Sequence, residues 1–203
     1  TMDQMLRVVD GATGEIRHEV PTPVAIPDGK NPLKFPRILG DSLFFADLRG
    51  RGHADHLVIK DRYTNFWVIN SELQTLWHGS CTTGHYPWAL DVDRDGRDEL
   101  FVGYSLFDDD GTKLWSLDSQ IKDHADAVTA VDLHPEKPGT VRVLCAASDE
   151  GFYIADLQGN ILKRHRIGHA QNLTVANFRS DLPGLEILVH NYWGNQGIAY
   201  LFD

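Results

Sequence analysis

The feature that most constrains the fold of this chain is a long-period repeat. Four segments share an apolar strand that ends in Asp or Asn, a turn and a second apolar strand. Their anchor residues, Asp47, Asp91, Asp132 and Asn177, are spaced 44, 41 and 45 residues apart. A further strand pair follows each segment, and this spacing is typical of a four-stranded propeller blade. The sequence therefore predicts an all-β fold, a β-propeller of four-stranded antiparallel blades.

The repeat also predicts how the chain is divided. We expect residues 1–203 to form a single β-propeller region in which about four blades are visible. Either the N-terminal strands complete the last blade, or the chain is part of a seven- or eight-bladed ring; we favour the larger ring. The expected divisions are a partial blade at 1–20, an irregular, proline-rich connection at 18–40, and blades at 42–80, 85–118, 125–167 and 170–203.

Charge and hydropathy exclude two classes of partner. The 203 residues include 29 acidic and 19 basic side chains, giving a formal net charge of -10. A nucleic-acid surface needs a cationic stripe, so we expect no nucleic-acid partner. No apolar run approaches the roughly 20 residues that span a bilayer, so we expect no membrane partner either.

The turn of the second segment reads DVDRDGRDE and carries acidic residues at alternating positions. Asp91, Asp93, Asp95 and Glu99 present hard oxygen ligands in the spacing of a calcium-binding loop, and the backbone carbonyl of Arg97 completes the expected set. The alternative is a solvated acidic turn whose carboxylates accept local backbone hydrogen bonds. The pattern predicts one structural calcium ion.

The corresponding turns of the other segments lack this ligand pattern. Arg49 and Arg51 replace the ligands in the first segment, His134 and Lys137 in the third, and Arg179 in the fourth. We therefore expect only the second turn to hold calcium.

Three histidines recur in register at the other end of the predicted blades. His85, His124 and His169 each stand directly before the first strand of a blade, so blade repetition brings them together near the axis. They could hydrogen-bond neighbouring blades, perform chemistry, or bind a second metal such as zinc, since imidazole is a common ligand. The loops between second and third strands are expected on the same face. They carry Arg62 and Tyr63 and four expected substrate-binding residues, Tyr104, Asn191, Tyr192 and Trp193.

Several other notable residues are assigned no chemistry. Cys81 and Cys145 have no metal-type spacing and are expected to be unpaired core residues. Trp77 and Trp115 stand at equivalent places and are expected to pack between blades. The remaining histidines fall on outer strands or the opposite turns: His18, His53, His56, His78, His134, His165 and His190.

Parts of the chain resemble a known group of enzymes. The stretches KDRYTNFWV, TGHYPWALDVDRDGRDE, DHADAV and GHAQNLTVANFRSDLPGLEI are similar to bacterial β-propeller polysaccharide lyases of the rhamnogalacturonan and ulvan lyase group. The unit DVDRDGRDELFVGY also resembles the FG-GAP or VCBS type of repeat found in integrin-like propellers. The resemblance spans most of residues 42–203.

The resemblance implies β-elimination at a uronic acid within an acidic polysaccharide. Arg62 or a cation would neutralise the uronate carboxylate, and His85 or His124 would remove the C5 proton. Tyr86 or Tyr63 would then protonate the departing oxygen. The substrate contacts implied are His169 and Gln171.

The same surface also suits a protein without catalytic activity. An FG-GAP-type propeller could bind glycan or protein through this face, and a purely structural scaffold is a third alternative. A polysaccharide substrate implies an extracellular or periplasmic location, and a larger ring implies that further blades of a longer chain are partners.

Overall fold

The computed structural model describes residues 4–27, 36–38, 40–137 and 139–203. These residues form seventeen β-strands and no helix, so the predicted all-β class is confirmed. None of the described residues belongs to a helix that could span a membrane. Of the connection predicted at 18–40, residues 28–35 and 39 lie outside the described residues.

The strands form one hairpin and four successive antiparallel sheets, each built in chain order. The hairpin consists of β1 (Met5–Val9) and β2 (Ile16–Pro21). The first sheet contains β3 (Ser42–Ala46), β4 (His56–Lys60), β5 (Asn65–Ile69) and β6 (Thr75–Ser80). The second contains β7 (Trp88–Leu90), β8 (Glu99–Val102), β9 (Ser105–Phe107) and β10 (Lys113–Ser116). The third contains β11 (Ala127–Asp132), β12 (Val141–Ala146), β13 (Phe152–Ala155) and β14 (Ile161–His165), and the fourth β15 (Ala170–Ala176), β16 (Glu186–Asn191) and β17 (Ala199–Phe202).

The core lies between neighbouring sheets. Successive side chains of a strand point to opposite faces, and in β8 Leu100 faces the first sheet while Phe101 faces the third. Both faces of β8 are therefore buried, which is consistent with its nearly continuous apolar run. Phe66 of the first sheet and Phe107 of the second meet edge to face, with ring centroids 4.8 Å apart.

The first strands of the four sheets lie side by side. β7 contacts both β3 and β11, and β11 contacts β15. The segments that lead into these strands are consequently neighbours at one end, and the turns that leave them are neighbours at the other end. This arrangement gives the chain two distinct surfaces, the entry end and the exit end of the first strands.

Candidate functional site

The three register-matched histidines meet at the entry end of the first strands. The ring centroids of His85 and His124 are 5.0 Å apart, and those of His124 and His169 are 6.3 Å apart. Gly84 makes the first approach possible: it adopts φ +62°, and a β-carbon there would lie 2.3 Å from the carbonyl oxygen of Ala125. The His85 backbone N–H donates to that same oxygen at 2.8 Å. A residue other than glycine would therefore push the His85 segment away from His124.

A buried carboxylate, Asp126, lies at the centre of these histidines. Only 2% of the residue is exposed. Its oxygens lie 3.2 Å from Nε2 of His169, 3.6 Å from Nε2 of His124 and 3.8 Å from Nε2 of His85. Gln171 donates to Asp126 at 2.7 Å. The sequence analysis did not single out Asp126 as a candidate site residue.

A strained serine supports this carboxylate. The Ser148 hydroxyl donates to Asp126, and Ser148 adopts φ 49°, in the left-handed region that residues other than glycine seldom occupy. Its backbone carbonyl accepts the N–H of Ala170 at the start of β15. Strain of this kind persists only where surrounding contacts over-determine the backbone, and it concentrates at functional sites.

Each histidine also faces a second carboxylate through its other ring nitrogen. Nδ1 of His85 lies 3.0 Å from Asp41, and Nδ1 of His124 lies 2.9 Å from Asp123. Nδ1 of His169 lies 2.7 Å from Asp149. Each imidazole thus lies between an outer carboxylate and the shared Asp126, and the hydrogen bonds to the outer carboxylates orient the three rings.

The charges of the site shift its pKa values in opposite directions. The contact with Asp126 outweighs burial and raises the pKa of His124. Burial by itself would raise the pKa of Asp126, but the contact with His124, the hydrogen bond from Ser148 and the charges of His124 and His169 lower it. The arrangement therefore favours a protonated His124 beside an ionised Asp126.

Of the residues from the sequence analysis, Tyr63 lies beside His124, and Arg62 lies beside Tyr63. The Tyr63 ring meets the His124 imidazole edge to face, with centroids 6.2 Å apart. The exposed guanidinium of Arg62 lies 5.1 Å from the centroid of the Tyr63 ring. The structure thus brings the expected neutralising cation and one of the two expected acids to the histidine cluster.

Two other expected substrate contacts are buried instead, which corrects the sequence analysis. Tyr104 is 1% exposed and packs in the core against Tyr153, with centroids 6.0 Å apart. Asn191 is also buried: its amide donates to the carbonyl of Ile167 and accepts the N–H of Ile198. Both residues support the fold beneath the site.

The remaining candidates are exposed but differ in position. Tyr192 donates its backbone N–H to the His169 carbonyl at 2.9 Å, and its ring and that of Trp193 are both exposed. Tyr86 is 65% exposed and lines a groove of about 480 Å³ with Phe44 and Trp88 along the first strands. Tyr192 and Trp193 therefore lie at the edge of the site, whereas Tyr86 faces the groove.

The acidic turn of the second sheet lies at the exit end of β7. Carboxylate oxygens of Asp91, Asp93 and Glu99 lie within 4.8 Å of one another, while Asp95 is outside this set. Asp95 instead accepts the backbone N–H of Arg97 at 2.8 Å. Burial, together with the neighbouring carboxylates, raises the pKa of Glu99 to about 7. This set of hard oxygens with unbalanced negative charge fits a cation such as calcium.

The histidine cluster also contains metal-type donor groups. One ligand atom each from His85, His124 and Asp126 lie within 4.8 Å of one another, as do those from Asp123, Asp149 and His169. Nε2 of His169 and Oε1 of Gln171 are buried atoms that make no hydrogen bond among the described residues. Imidazole nitrogen with carboxylate oxygen suits a transition metal or a mixed-ligand divalent cation.

Comparison with known proteins identifies related enzymes. Residues 57–153 match the family model of the C-terminal domain of rhamnogalacturonan lyase family 11. The solved exotype rhamnogalacturonan lyase YesX superimposes with a TM-score of 0.72 at 25% identity, over 98% of this chain and 36% of that one. The rhamnogalacturonan lyase of Bacillus licheniformis gives 0.71 at 22% identity, over 97% of this chain and 37% of that one. None of the curated proteins matches this chain.

The fold also occurs in proteins of another kind. The V. cholerae biofilm matrix protein Bap1 superimposes with a TM-score of 0.60 at 19% identity, over 81% of this chain and 25% of that one. This chain spans little more than a third of the length of the two lyase structures. The matches nonetheless support the relationship of this chain to the rhamnogalacturonan lyases, a family of polysaccharide lyases.

Proposed function

We propose that this chain is part of a polysaccharide lyase that cleaves a uronic-acid-containing glycan of the rhamnogalacturonan type by β-elimination. The observation that carries the proposal is the cluster of three histidines around Asp126, with Tyr63 and Arg62 beside it. The family match over residues 57–153 includes Arg62, Tyr63, His124 and Asp126. The substrate partner is therefore an acidic polysaccharide, and the location is extracellular or periplasmic.

The site contains groups for each step of β-elimination. Arg62, with protonated His124, would neutralise the uronate carboxylate, which makes the C5 proton more acidic. If Nδ1 of His85 donates to Asp41, Nε2 carries the free lone pair, and at 3.8 Å from Asp126 it is not engaged in a hydrogen bond. We therefore assign His85 as the base and Tyr63 as the acid that protonates the leaving oxygen. His169 and Gln171, which are both positioned by Asp126, would contact the substrate.

We also propose that the four sheets are blades of a β-propeller in a larger ring. Four repeated antiparallel sheets with their first strands side by side support it. The remaining blades would then belong to a longer chain.

The proposed lyase activity has a direct test. The protein, with any further blades of its chain, is incubated with rhamnogalacturonan, polygalacturonate and a neutral galactan. The absorbance of unsaturated uronate is then followed. We expect product from rhamnogalacturonan, and a loss of at least tenfold in turnover for His85→Ala and for His124→Ala, because a positioned acid or base contributes roughly 100-fold or more. Full turnover in both variants would exclude these roles.

The second candidate is a non-catalytic module that binds glycan. The exposed pair Tyr192 and Trp193, with ring centroids 5.5 Å apart, favours it because aromatic faces stack on sugar rings. Saturable binding of rhamnogalacturonan without unsaturated product, lost in Trp193→Ala but retained in His85→Ala, would establish this alternative.

We further propose a structural calcium ion at Asp91, Asp93 and Glu99, with Asp95 and the Arg97 carbonyl as additional ligands. As an alternative to a protonated His124 and a basic His85, a divalent cation at His85, His124 and Asp126 is a second proposed site; when bound, it would supply the positive charge that faces the substrate carboxylate. Carboxylate oxygens within 4.8 Å of one another support the first, and the mixed nitrogen and oxygen donors support the second.

Calcium should raise thermal stability through the acidic turn. A ligand at about 100 times its Kd adds roughly 2.7 kcal/mol, which corresponds to about 5–10 °C in Tm for a chain of this size. We expect Asp93→Asn to abolish this increase in calorimetry. Asp110→Asn, a matched change at another acidic turn, should retain it. An increase that survives Asp93→Asn would contradict the site.

A further inference from the structure

A second cavity lies at the exit end of the first strands, away from the histidine cluster. It measures about 430 Å³ and is formed by the first and second sheets. Arg49 and Arg51 reach it from the turn after β3, and Arg97 reaches it from the turn after β7. Asp109 is the one carboxylate among its lining residues. In a chain with a formal net charge of -10, this is a local excess of positive charge.

The three arginines differ in how they are paired. Arg51 forms an ion pair with Asp55 at 3.0 Å, and Arg97 forms one with Asp109 at 2.8 Å. The Arg49 side chain has no ion pair or hydrogen bond to any described residue. One guanidinium is therefore available to an acceptor from outside the protein.

A buried histidine also lines the cavity. His56 is 1% exposed, and its Nδ1 lies 2.7 Å from an Asp55 oxygen. The two atoms are not aligned for a hydrogen bond, and both are buried without one. A buried polar atom without a hydrogen bond is costly, and a bound ligand that draws the ring or the carboxylate into alignment would relieve that cost.

The cavity lies at the first sheet, in the position equivalent to the acidic turn of the second sheet, but its lining is positively charged. His56 pairs with Ala46 across β3 and β4, as Glu99 pairs with Leu90 across β7 and β8. Arg49 and Arg51 follow the anchor Asp47 as Asp93 and Asp95 follow Asp91. The same local geometry that gathers oxygen ligands in the second sheet thus gathers hydrogen-bond donors in the first.

Trp77 adds a further donor that is free to meet a ligand. The indole N–H of the equivalent Trp115 donates to the Leu157 carbonyl at 2.8 Å. The indole N–H of Trp77, which also lines the cavity, has no acceptor among the described residues. Leu76, 42% exposed, extends the apolar surface beside it. An indole beside guanidinium groups suits a sugar ring that carries an anionic group.

We propose that this cavity binds the carboxylate of an acidic saccharide, with Arg49 as the principal anion contact and Trp77 as the sugar contact. Donors exceed acceptors at the cavity, so the ligand must supply negatively charged oxygen. The apolar edge formed by Trp77 and Leu76 favours a saccharide over a bare anion. This inference does not depend on the proposed lyase activity, because the cavity lies at the opposite end of the strands from the histidines.

The test follows the indole N–H resonance of Trp77 by NMR, assigned through its loss in Trp77→Phe. Galacturonate should shift it saturably, galactose should not, and acetate should bind at least tenfold more weakly. Arg49→Gln should weaken galacturonate binding at least tenfold, because a charge-assisted contact is lost. Lys163→Gln, the same charge change on the exposed outer strand β14, should leave the affinity unchanged.

His85→Ala should also leave the affinity unchanged, which separates this cavity from the histidine cluster. Equal shifts with galactose and galacturonate would overturn the proposed anion recognition. Acetate that binds as tightly as galacturonate would overturn the assignment to a saccharide. Undiminished binding by Arg49→Gln would overturn the site itself.

Discussion

Asp126→Asn should reduce turnover of the proposed lyase by at least 100-fold while the chain remains folded. Asn has the same shape but carries no charge, so the three imidazoles lose the carboxylate that faces all their Nε2 atoms. The pKa of His124 should fall, because its contact with Asp126 is the largest cause that raises it. Removal of a group that fixes an acid or base in place affects the rate by roughly 100-fold or more.

Two measurements separate this effect from simple unfolding. An NMR pH titration of the His124 ring reports its pKa without any substrate, and the near-ultraviolet circular dichroism reports tertiary packing. Asp149→Asn is the matched control, because among the described residues the Asp149 side chain hydrogen-bonds to His169 alone, and it is 76% exposed. We expect that variant to lose less than tenfold in turnover and to leave the His124 pKa unchanged. Normal turnover in Asp126→Asn would exclude a role for Asp126 in the reaction.

The sequence was sufficient to predict the sheets and the meeting of the histidines. Both follow from periodicity: strand alternation defines each sheet, and a histidine placed before each first strand must lie beside its counterparts once those strands are neighbours. His85, His124 and His169 follow this rule because each stands at most three residues before its first strand. Register alone therefore predicted that they meet, without knowledge of their contacts.

The carboxylates of the site follow no such rule. Asp41 precedes β3, and Asp149 lies between β12 and β13, so their contacts to His85 and His169 depend on loop conformation. Asp126 offered one signal: it stands two residues after His124, directly before β11, in the stretch DHADAV. Its role becomes visible only when three loops from different sheets are placed together.

Tyr104 shows the opposite error, in which a turn was expected to be exposed. Val102 pairs with Ser105, so Gly103 and Tyr104 form a tight two-residue turn. Gly103 has φ +57°, and a β-carbon there would lie 1.7 Å from the Thr82 carbonyl oxygen. The turn is therefore pressed against the preceding segment, and the Tyr104 ring points into the core. Hydropathy does not report such contact between loops.

A second large effect, a loss of stability, is expected on substitution of Asp41, which contacts both the histidine cluster and the core. Lys60 of β4 is fully buried, and its ammonium donates to Asp41 at 3.0 Å and to the Asp61 carbonyl at 2.9 Å. Asp41→Asn leaves this buried charge without its carboxylate. Breaking one side of a buried pair costs about 3–5 kcal/mol; because Asp41 is partly exposed and Lys60 keeps one acceptor, we expect a loss of about 2–4 kcal/mol. Urea denaturation at pH 7 measures it.

The pH dependence of stability gives an independent measure of the same group. Burial by itself would raise the pKa of Asp41, but hydrogen bonds from His85 and Lys60 lower it to about 2, from an ordinary value of 3.8. A carboxyl with a lowered pKa in the folded state stabilises the fold above pH 3.8, and the stabilisation is lost as pH falls through about 2. Because Asp41 is partly exposed, solvent screening reduces the corresponding stabilisation to about 1–2 kcal/mol. Asp41→Asn should remove this part of the acid-induced loss.

Asp10 provides the matched control for the contribution of Asp41 to stability. Its pKa is also lowered to about 2, first by the hydrogen bond from Arg17, but both side chains lie at the surface. Exposed pairs contribute little to stability, so Asp10→Asn should change the urea midpoint far less than Asp41→Asn. Equal effects of the two changes would show that the burial of Lys60 is irrelevant.

The decisive variant removes both partners of the buried pair. Lys60→Met fills a similar volume without a charge, so the double change of Asp41→Asn and Lys60→Met leaves no unpaired ammonium in the first sheet. We expect it to recover most of the stability that Asp41→Asn loses, yet to keep any loss of turnover, because His85 still lacks its carboxylate. Stability and activity should therefore separate in this one variant. If stability does not recover, the loss in Asp41→Asn arises from the loop before β3 and not from Lys60.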